Sequence, residues 1–288
     1  MRLGCNSLIR DQNNPSKWID VEEMIDHVRQ LGLDLIDLQL DRGLKGLDPA
    51  YLRSIRDKCD SNGIEIGYAG VGSGLVGVSQ NSAGETIGVS LDDDELETRI
   101  TEVERGIDAA GELGTSLIRL FAGRIPEATP DRNKIWDQSI GAFQRVADYA
   151  KDRDIKIGLH NHPPAVAPTG EDVLQIRSAI DRENVTVILD TGQWHGSPGE
   201  NLEGTADPEV DFYEFVEQVL PYTSYVRAKI YVIDSGTEEW LDYPRIFGIL
   251  SSQGYEGPVS IVYEDRGNVS SYQEALSLAV SYLRSICP

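Results

Sequence analysis

Two histidines stand one residue apart in the stretch KIGLHNHPPAV, residues 156–166, directly after an apolar run. His160 and His162 are two of the four histidines in the chain. Histidine changes its charge near neutral pH and binds metal ions through its ring nitrogens. The pair is therefore a candidate for proton transfer or metal binding. The alternative is that these are hydrogen-bonded core or loop residues without a chemical role.

The run VTVILD, residues 185–190, ends in Asp190. A carboxylate in so apolar a run needs an ion-pair partner, a hydrogen-bond donor or a metal ion. Asp190 is therefore a second candidate, and the alternative is that it caps the helix that follows.

Arg227 and Lys229 interrupt the run SYVRAKIYV two residues apart. Side chains alternate along a strand, so both point to the same side. If that side faces a cavity, the two cations suit an anionic substrate or an enolate. If it faces outward, both charges need buried partners, which is the less economical arrangement.

Short β-type runs that alternate with amphipathic helical patterns must position these residues. The predicted strands are 3–8, 33–40, 64–69, 115–121, 155–160, 185–190, 223–230 and 258–263. The predicted helices are 21–31, 49–62, 92–114, 130–153, 170–182, 209–221, 243–252 and 270–286. Eight such units in 288 residues favour an α/β fold, a closed (β/α)₈ TIM barrel that forms a single domain over residues 1–288. An open doubly wound sheet is less suitable, because no GxGxxG turn follows the first strand.

Polar side chains at the C-terminal ends of barrel strands converge on one cavity. Those at the predicted strand ends are Asn6, Gln39, Asp41, Tyr68, Arg119, Arg124, His160, Asn161, His162, Asp190, Gln193, His195, Arg227, Lys229, Tyr263 and Glu264. As catalytic residues we predict His160, His162, Asp190 and Arg227. As substrate-binding residues we predict Lys229, Gln193, His195, Arg119, Tyr68 and Glu264.

Two long connections follow strand ends, residues 70–91 and 196–208. Long loops at this face of a barrel are candidate lids over the active site. The alternative is that either one only decorates the surface.

Composition excludes several classes of protein. The formal net charge of −22 opposes binding to phosphate backbones, so nucleic acid is not an expected partner. No run approaches the 18 or more apolar residues of a membrane span, and we expect a cytoplasmic protein without membrane contact. Cys5, Cys59 and Cys287 form no CxxC pair, which argues against a disulfide framework and a thiolate zinc site.

The chain resembles the xylose isomerase-like (AP endonuclease family 2) barrels, a superfamily of sugar isomerases, sugar epimerases, inosose dehydratase and endonuclease IV. The motifs that carry the resemblance are MRLGCNSL, LGLDLIDLQL, GLHNHP, VILDTGQWH, YVRAKIY and GYEGPVSIVYED, which run through nearly the whole chain. The resemblance implies a carbohydrate substrate and leaves a homo-oligomer open, because members are often dimers or tetramers.

The family's four metal ligands are largely replaced. The resemblance places them at His160, Asp190, Arg227 and Val262, where relatives carry Glu, Asp, His and Glu, so Asp190 alone is kept. His162 matches the histidine of the family's ENH motif. A guanidinium among the ligands and the loss of both glutamates leave too little negative charge for a hard cation. We therefore expect no metal in the usual place and no other cofactor, while a displaced site on His160, His162, Asp190 or His195 stays open.

The resulting hypothesis is an enzyme that acts on a small sugar-derived or sugar-acid substrate through an enolate-like intermediate. An isomerase, an epimerase and a lyase such as an oxo-sugar-acid decarboxylase all fit. Arg227 would hold a carboxylate or oxyanion, His160 or His162 would move a proton, and Asp190 would orient a histidine or accept a substrate hydroxyl. The alternatives are a metal-dependent isomerase with a displaced site, a non-catalytic binding or scaffold barrel, and a DNA-repair endonuclease, which the net charge and the four histidines disfavour.

Overall fold

The structure is a computed structural model that describes residues 1–12, 14–72, 75, 78–80, 86–89, 93–121, 132–162, 169–200 and 202–287. Arg124 and half of the predicted lid 70–91 lie outside the described residues. The predicted lid 196–208 is described apart from position 201.

Eight parallel strands close into a barrel, as predicted. They are β1 (Arg2–Asn6), β2 (Leu35–Gln39), β3 (Glu65–Gly70), β4 (Leu117–Phe121), β5 (Lys156–His160), β6 (Val185–Asp190), β7 (Thr223–Ile230) and β8 (Pro258–Tyr263). Each strand pairs with its two neighbours in chain order, and β1 closes the ring by pairing with both β2 and β8. The carboxyl ends of all eight strands therefore lie at one face, where the candidate residues were expected to meet.

Eight α-helices in the described part of the chain surround the barrel. They are α1 (Val21–Gln30), α2 (Pro49–Ser61), α3 (Asp93–Leu113), α4 (Arg132–Lys151), α5 (Gly170–Ile180), α6 (Tyr213–Val219), α7 (Tyr243–Ser252) and α8 (Tyr272–Ile286). Local sequence sets their starts: Asp48 accepts from the backbone of Ala50 and Tyr51 before α2, and Thr169 with Asp172 forms a capping box before α5. No helix in the described ranges combines the length and the apolar character needed to span a membrane.

The helix α6 is shorter than its predicted span of 209–221. Asp207 accepts a hydrogen bond from the Glu209 amide, and Asp211 accepts one from the Tyr213 amide. Such aspartate turns compete with a helix, so the helix begins only at Tyr213. It ends in a 3₁₀ turn, Leu220–Tyr222, at the proline of position 221.

Two hairpins in the described residues were not predicted. Arg10–Asp11 pairs with Asn14–Trp18 after β1, and Val78–Gln80 pairs with Thr86–Val89 after β3. The first strand therefore ends at Asn6, two residues before its predicted end at residue 8. Short hairpins with few apolar residues give a weak alternation signal, so the sequence did not predict them.

The barrel interior has an aromatic and aliphatic layer below its polar mouth. Tyr68, Leu117, Ile188 and Tyr225 form a buried cluster inside the barrel, separate from the larger core between strands and helices. Gly158 leaves space there, because a Cβ at that position would overlap Ile188. The next inward-facing residues toward the carboxyl ends of β4, β5, β6 and β7 are Arg119, His160, Asp190 and Arg227. The apolar layer thus closes the mouth from below.

Candidate active site

Asp190 is the centre of a buried polar cluster at the barrel mouth. Three donors surround its Oδ2 atom: His160 Nε2 at 3.3 Å, Arg227 Nε at 3.6 Å and Lys229 Nζ at 3.8 Å. Its Oδ1 atom accepts a hydrogen bond of 3.1 Å from the Gly192 amide. Burial raises the pKa of Asp190, while Lys229 and Arg227 oppose that rise. The carboxylate expected from the apolar run is therefore paired rather than only a helix cap.

His160 lies between cations. Arg119 Nη1 is 3.1 Å from its Nδ1 atom, and Arg227 Nη1 is 3.4 Å from its Nε2 atom. Burial first, and then Arg227 and Arg119, lower its pKa well below the usual value, so the ring is neutral at neutral pH. A guanidinium can only donate, so Nδ1 accepts from Arg119 at the shorter distance, and the ring proton then sits on Nε2, facing Asp190. The approach of Arg227 Nη1 to Nε2 is therefore a contact between two donors rather than a hydrogen bond. Both ring nitrogens are thereby engaged.

Arg119 is a buried cation whose described partners are neutral. Its Nη2 atom donates to Gln39 Oε1 at 2.8 Å and to the Val71 carbonyl at 3.3 Å, and its guanidinium lies 4.3 Å above the Phe121 ring. Its Nε atom has no hydrogen-bond partner in the described residues. Burial, together with Arg227, lowers the pKa of Arg119 to about 10, which leaves it charged at neutral pH.

Lys229 connects the centre of the cluster to the strand end of β8. Its ammonium bonds the carboxylate of Glu264, whose side chain is 26% exposed, while Lys229 is buried. Burial raises the pKa of Glu264, but Lys229 outweighs it and the net shift is downward, so Glu264 is ionised at neutral pH. Arg227 lies 6.0 Å above the Tyr68 ring, which places it on top of the aromatic layer. Both cations of β7 face the interior, as the first of the two alternatives predicted.

Loop residues hold this arrangement in place. Asn161 accepts from the Asp190 amide at 2.8 Å and donates to the Asp190 and Gln193 carbonyls at 3.1 Å. The Thr191 hydroxyl donates to the Arg227 carbonyl and accepts from the Lys229 amide at 3.0 Å. These bonds tie the loop after β6 to β5 and β7, which limits movement of the functional side chains.

The remaining predicted residues lie around the cluster. His162 is partly exposed, with ring centroids 5.7 Å from His160 and 5.3 Å from Phe121. Gln193 is buried and donates to the Tyr231 hydroxyl at 3.1 Å, on the far side of the loop after β6. His195 is half exposed and bonds Glu200 at 3.0 Å, so the structure does not bring it into the buried cluster.

Sequence reasoning missed Asp37, a fully buried carboxyl in the interior of β2. The Tyr225 hydroxyl donates to it at 2.5 Å. The alternation of LIDLQ gave a usable signal, because Asp37 shares the inward parity of Gln39. It was overlooked because it lies one layer below the strand end.

The described residues of the mouth carry a surplus of positive charge. Arg119, Arg227 and Lys229 are buried cations, and the carboxylates among them are Asp190 and Glu264. Asp41, the next acid outward, receives a hydrogen bond from Gln39 and is about half exposed, so water screens it. While Asp37, one layer below, is protonated, an anion that enters the mouth therefore meets one positive charge that these described carboxylates do not compensate, in a low-dielectric environment.

The residues around Asp190 do not fit a divalent metal. Asp190, which the resemblance places at a metal-ligand position, has an imidazole N–H, a guanidinium and an ammonium directed at its Oδ2 atom. A metal there would lie beside two fixed positive charges. Among the described residues, no group of three or more His, Cys, Asp or Glu side chains could hold a metal ion.

The fold and the position of this cluster define a (β/α)₈ barrel protein with its polar site at the carboxyl ends of the strands. The family model of the xylose isomerase-like TIM barrel matches residues 25–286. The chain therefore belongs to the xylose isomerase-like TIM barrel family.

Individual relatives are distant. An uncharacterized protein of Methanocaldococcus jannaschii is 30% identical over 107 residues, which is 35% of this chain and 36% of that protein. Inosose dehydratase of Geobacillus thermodenitrificans is 22% identical over 165 residues, 53% of this chain and 55% of the enzyme. The matches thus span between about a third and about half of the length of these curated relatives. The crystal structure of D-psicose 3-epimerase with D-tagatose from Clostridium cellulolyticum H10 matches with a TM-score of 0.72, 17% identity and 99% coverage of both chains. At that identity the likeness shows the fold alone.

Proposed function

We propose that this protein is an enzyme that acts on a small anionic substrate derived from a sugar, through an enolate-like intermediate and without a divalent metal. The observation that carries the proposal is the surplus of buried cations over Asp190 and Glu264 among the described residues of the mouth, in a chain whose formal net charge is −22. Buried positive charge is costly unless an anion compensates it, so the site is built to receive one. The family's sugar chemistry, represented by the named epimerase and dehydratase relatives, supports a carbohydrate skeleton for that anion.

Arg227 and Lys229 supply the electrostatic part of the mechanism. A guanidinium binds a carboxylate with two parallel hydrogen bonds, and an ammonium beside it stabilises the negative charge that forms on the oxygen of an enolate. Asp190 holds both side chains and therefore fixes where the substrate oxygen must lie. These groups are in place before the reaction, so no reorganisation is needed when the charge develops.

His162 is the better candidate for proton transfer. His160 is buried, and both of its ring nitrogens are engaged by Arg119 and Asp190. His162 is partly exposed at the mouth, next to the His160 ring, where a substrate carbon can reach it. Removal of a proton next to a carbonyl leaves an electron pair that moves onto oxygen as an enolate.

The fate of the returned proton distinguishes the reaction classes. Its return to the same carbon on the other face gives an epimer, and its return to the neighbouring carbon gives an isomer. A β-oxo acid reaches the same enolate by breaking its bond to the carboxylate and releasing carbon dioxide, and the enolate is then protonated.

The direct test uses D₂O as the solvent. The purified protein is incubated with ketoses and oxo-sugar acids, and NMR spectroscopy follows deuterium at carbons next to the carbonyl. We expect deuterium in the product, with released carbon dioxide if the reaction is a decarboxylation. His162→Ala should slow the exchange about 100-fold or more, the usual share of general acid–base catalysis. His27→Ala, a histidine substitution in α1 outside the site, is the control and should leave the rate of deuterium exchange unaltered. Lack of exchange across the series would favour a binding or scaffold role.

The metal-free part is tested separately by elemental analysis and chelation. We expect purified protein without a stoichiometric divalent metal, and deuterium exchange that EDTA does not change. Loss of exchange in EDTA that a divalent ion restores would contradict this part and support a displaced metal site.

A further inference from the structure

A buried carboxyl group lies in the barrel interior one layer below the site. Asp37 is fully buried on β2 and accepts a hydrogen bond of 2.5 Å from the Tyr225 hydroxyl of β7. Gly67 makes the pair possible, because a Cβ at that position would overlap both the Tyr225 hydroxyl and the Asp37 carboxyl. The cluster of cations above does not include Asp37, and the mechanism above does not use it.

The carboxyl is incompletely paired. Its buried Oδ2 atom has no hydrogen bond of good geometry in the described residues, and neither has the buried Ser260 hydroxyl on β8, although that hydroxyl lies close enough to lower the pKa of Asp37. An unsatisfied buried carboxylate oxygen costs free energy that an apolar residue of similar size would avoid. Packing alone therefore does not explain an aspartate at this position.

Asp37 is coupled to Arg227 through the aromatic layer. Tyr225 packs edge-on against Tyr68 with ring centroids 5.1 Å apart, and Arg227 lies above the Tyr68 ring. Burial lowers the pKa of Arg227, but Tyr68, Asp190 and, after them, Asp37 raise it, and the net shift is upward. The electrostatic link therefore connects the carboxyl to the cation that we propose binds the substrate.

The charge of Asp37 decides the balance among the buried charges that the structure describes at the mouth. When it is ionised, three carboxylates match the three cations Arg119, Arg227 and Lys229. When it is protonated, one positive charge is left over. Burial raises the pKa of Asp37 to about 7, against the opposing effects of Ser260, Tyr225, Arg227 and Arg119. The titratable groups that act on it are Tyr225 and Arg227 from β7, Arg119 from β4, Tyr68 from β3 and Cys5 from β1.

We propose that Asp37 is a positioning residue of this site, a buried carboxyl whose charge tunes how strongly Arg227 and its neighbours bind an anionic substrate. The proposal rests on the proposed function for the role of the anion. The protonated state of Asp37 favours anion binding, and the ionised state weakens it.

The first test measures the carboxyl itself and needs no substrate. Infrared difference spectra are recorded between pH 5 and 9 for the full chain and for Asp37→Asn. We expect the wild-type protein to lose a protonated-carboxyl band near pH 7 that the variant lacks. Tyr225→Phe removes a hydrogen bond that favours the ionised form, so it should move this transition to higher pH. Lack of an Asp37-dependent band across this range would overturn the proposal.

The second test measures anion binding. Calorimetry follows D-gluconate, whose carboxylate stays ionised throughout, at pH 6 and pH 8. We expect the wild-type protein to bind it about tenfold more tightly at pH 6, the size of effect that one buried charge exerts at this range. Asp37→Asn should bind it equally at both pH values, and at pH 8 more tightly than the wild-type protein does.

Tighter gluconate binding by Asp37→Asn distinguishes this role from a purely structural one. If Asp37 only supports the fold, Asp37→Asn weakens gluconate binding at both pH values, and that result would overturn the proposal, as would no binding by either protein. Deuterium exchange distinguishes the two proposals. Deuterium exchange without an Asp37-dependent infrared band would contradict the Asp37 proposal alone. The predicted pattern of gluconate binding without deuterium exchange would contradict the enzymatic function alone.

Discussion

Ion pairs at the barrel mouth are longer than those on the outer helices, yet we expect them to contribute more to stability. On the outside, Arg182 lies 2.6 Å from Asp148 and Arg245 lies 2.5 Å from Asp211, with side chains about a third to a half exposed. At the mouth, Arg227 and Lys229 lie 3.6 Å and 3.8 Å from Asp190, yet all three side chains are buried.

Burial, rather than distance, separates the two regions in energy. Water and salt screen an exposed pair, which typically stabilises a protein by about 0–1 kcal/mol. Removing one partner of a buried pair leaves a charge without compensation and costs about 3–5 kcal/mol. The short outer pairs keep a strongly acidic chain solvated, whereas the longer inner contacts leave Arg227 and Lys229 available to a substrate oxygen.

The largest difference between the regions is expected for catalysis. Arg227→Met removes the group that we propose binds the substrate anion, while its side chain still fills space above Tyr68. We expect deuterium exchange to fall about 1000-fold, because transition-state charge loses its main donor. Arg245→Met, the matched change on the outside, should leave exchange unaltered. Equal rates for the two variants would remove Arg227 from the mechanism.

Stability should show the next largest difference. Asp190→Asn keeps the shape of the side chain but leaves Arg227 with less compensation, and we expect the free energy of unfolding to fall by about 3 kcal/mol in urea titrations. Asp211→Asn, which breaks the outer pair with Arg245, should cost less than about 1 kcal/mol. Similar losses for the two variants would show that burial does not distinguish these pairs.

The pH dependence of stability should show the smallest difference. The folded-state pKa of His160 lies well below its unfolded value of about 6.5, so below that pH the unfolded chain binds a proton that the folded chain does not. The contribution of His160 is therefore complete above pH 6.5 and is lost as the pH falls. The stability difference between wild type and His160→Gln should shrink by up to about 1.4 kcal/mol per pH unit between pH 6.5 and 5. Asp37 is present in both proteins, so its own titration cancels in the stability difference between them. A constant difference would show that His160 is not a buried neutral ring.

Most of the fold could be predicted because regular elements leave local signals. The runs VTVILD, TSYVRAKI and PVSIVY carry dense apolar and β-branched residues, and the structure confirms these three strands at their predicted bounds. The two hairpins were missed, because short polar strands carry little periodicity. The start of α6 was wrong because aspartate side chains compete locally with the helix.

The candidate site was predicted in part. Arg119, His160, Asp190, Arg227, Lys229 and Glu264 come together as the strand ends indicated. His195 lies outside the buried cluster, because it stands in the loop beyond the end of β6 at Asp190, where no sequence pattern specifies how the chain turns. The roles of all these residues stay predictions for the experiments above.

The sequence by itself determined the alternation of strands and helices and the parity that places Arg227 and Lys229 on one side of their strand. These properties follow from residue type and from the periods of strands and helices. Only the tertiary structure decided that both ring nitrogens of His160 are engaged and that Asp37 lies beneath Arg227. Those contacts join strands far apart in the chain, and closure of the barrel, which no local pattern encodes, brings them together.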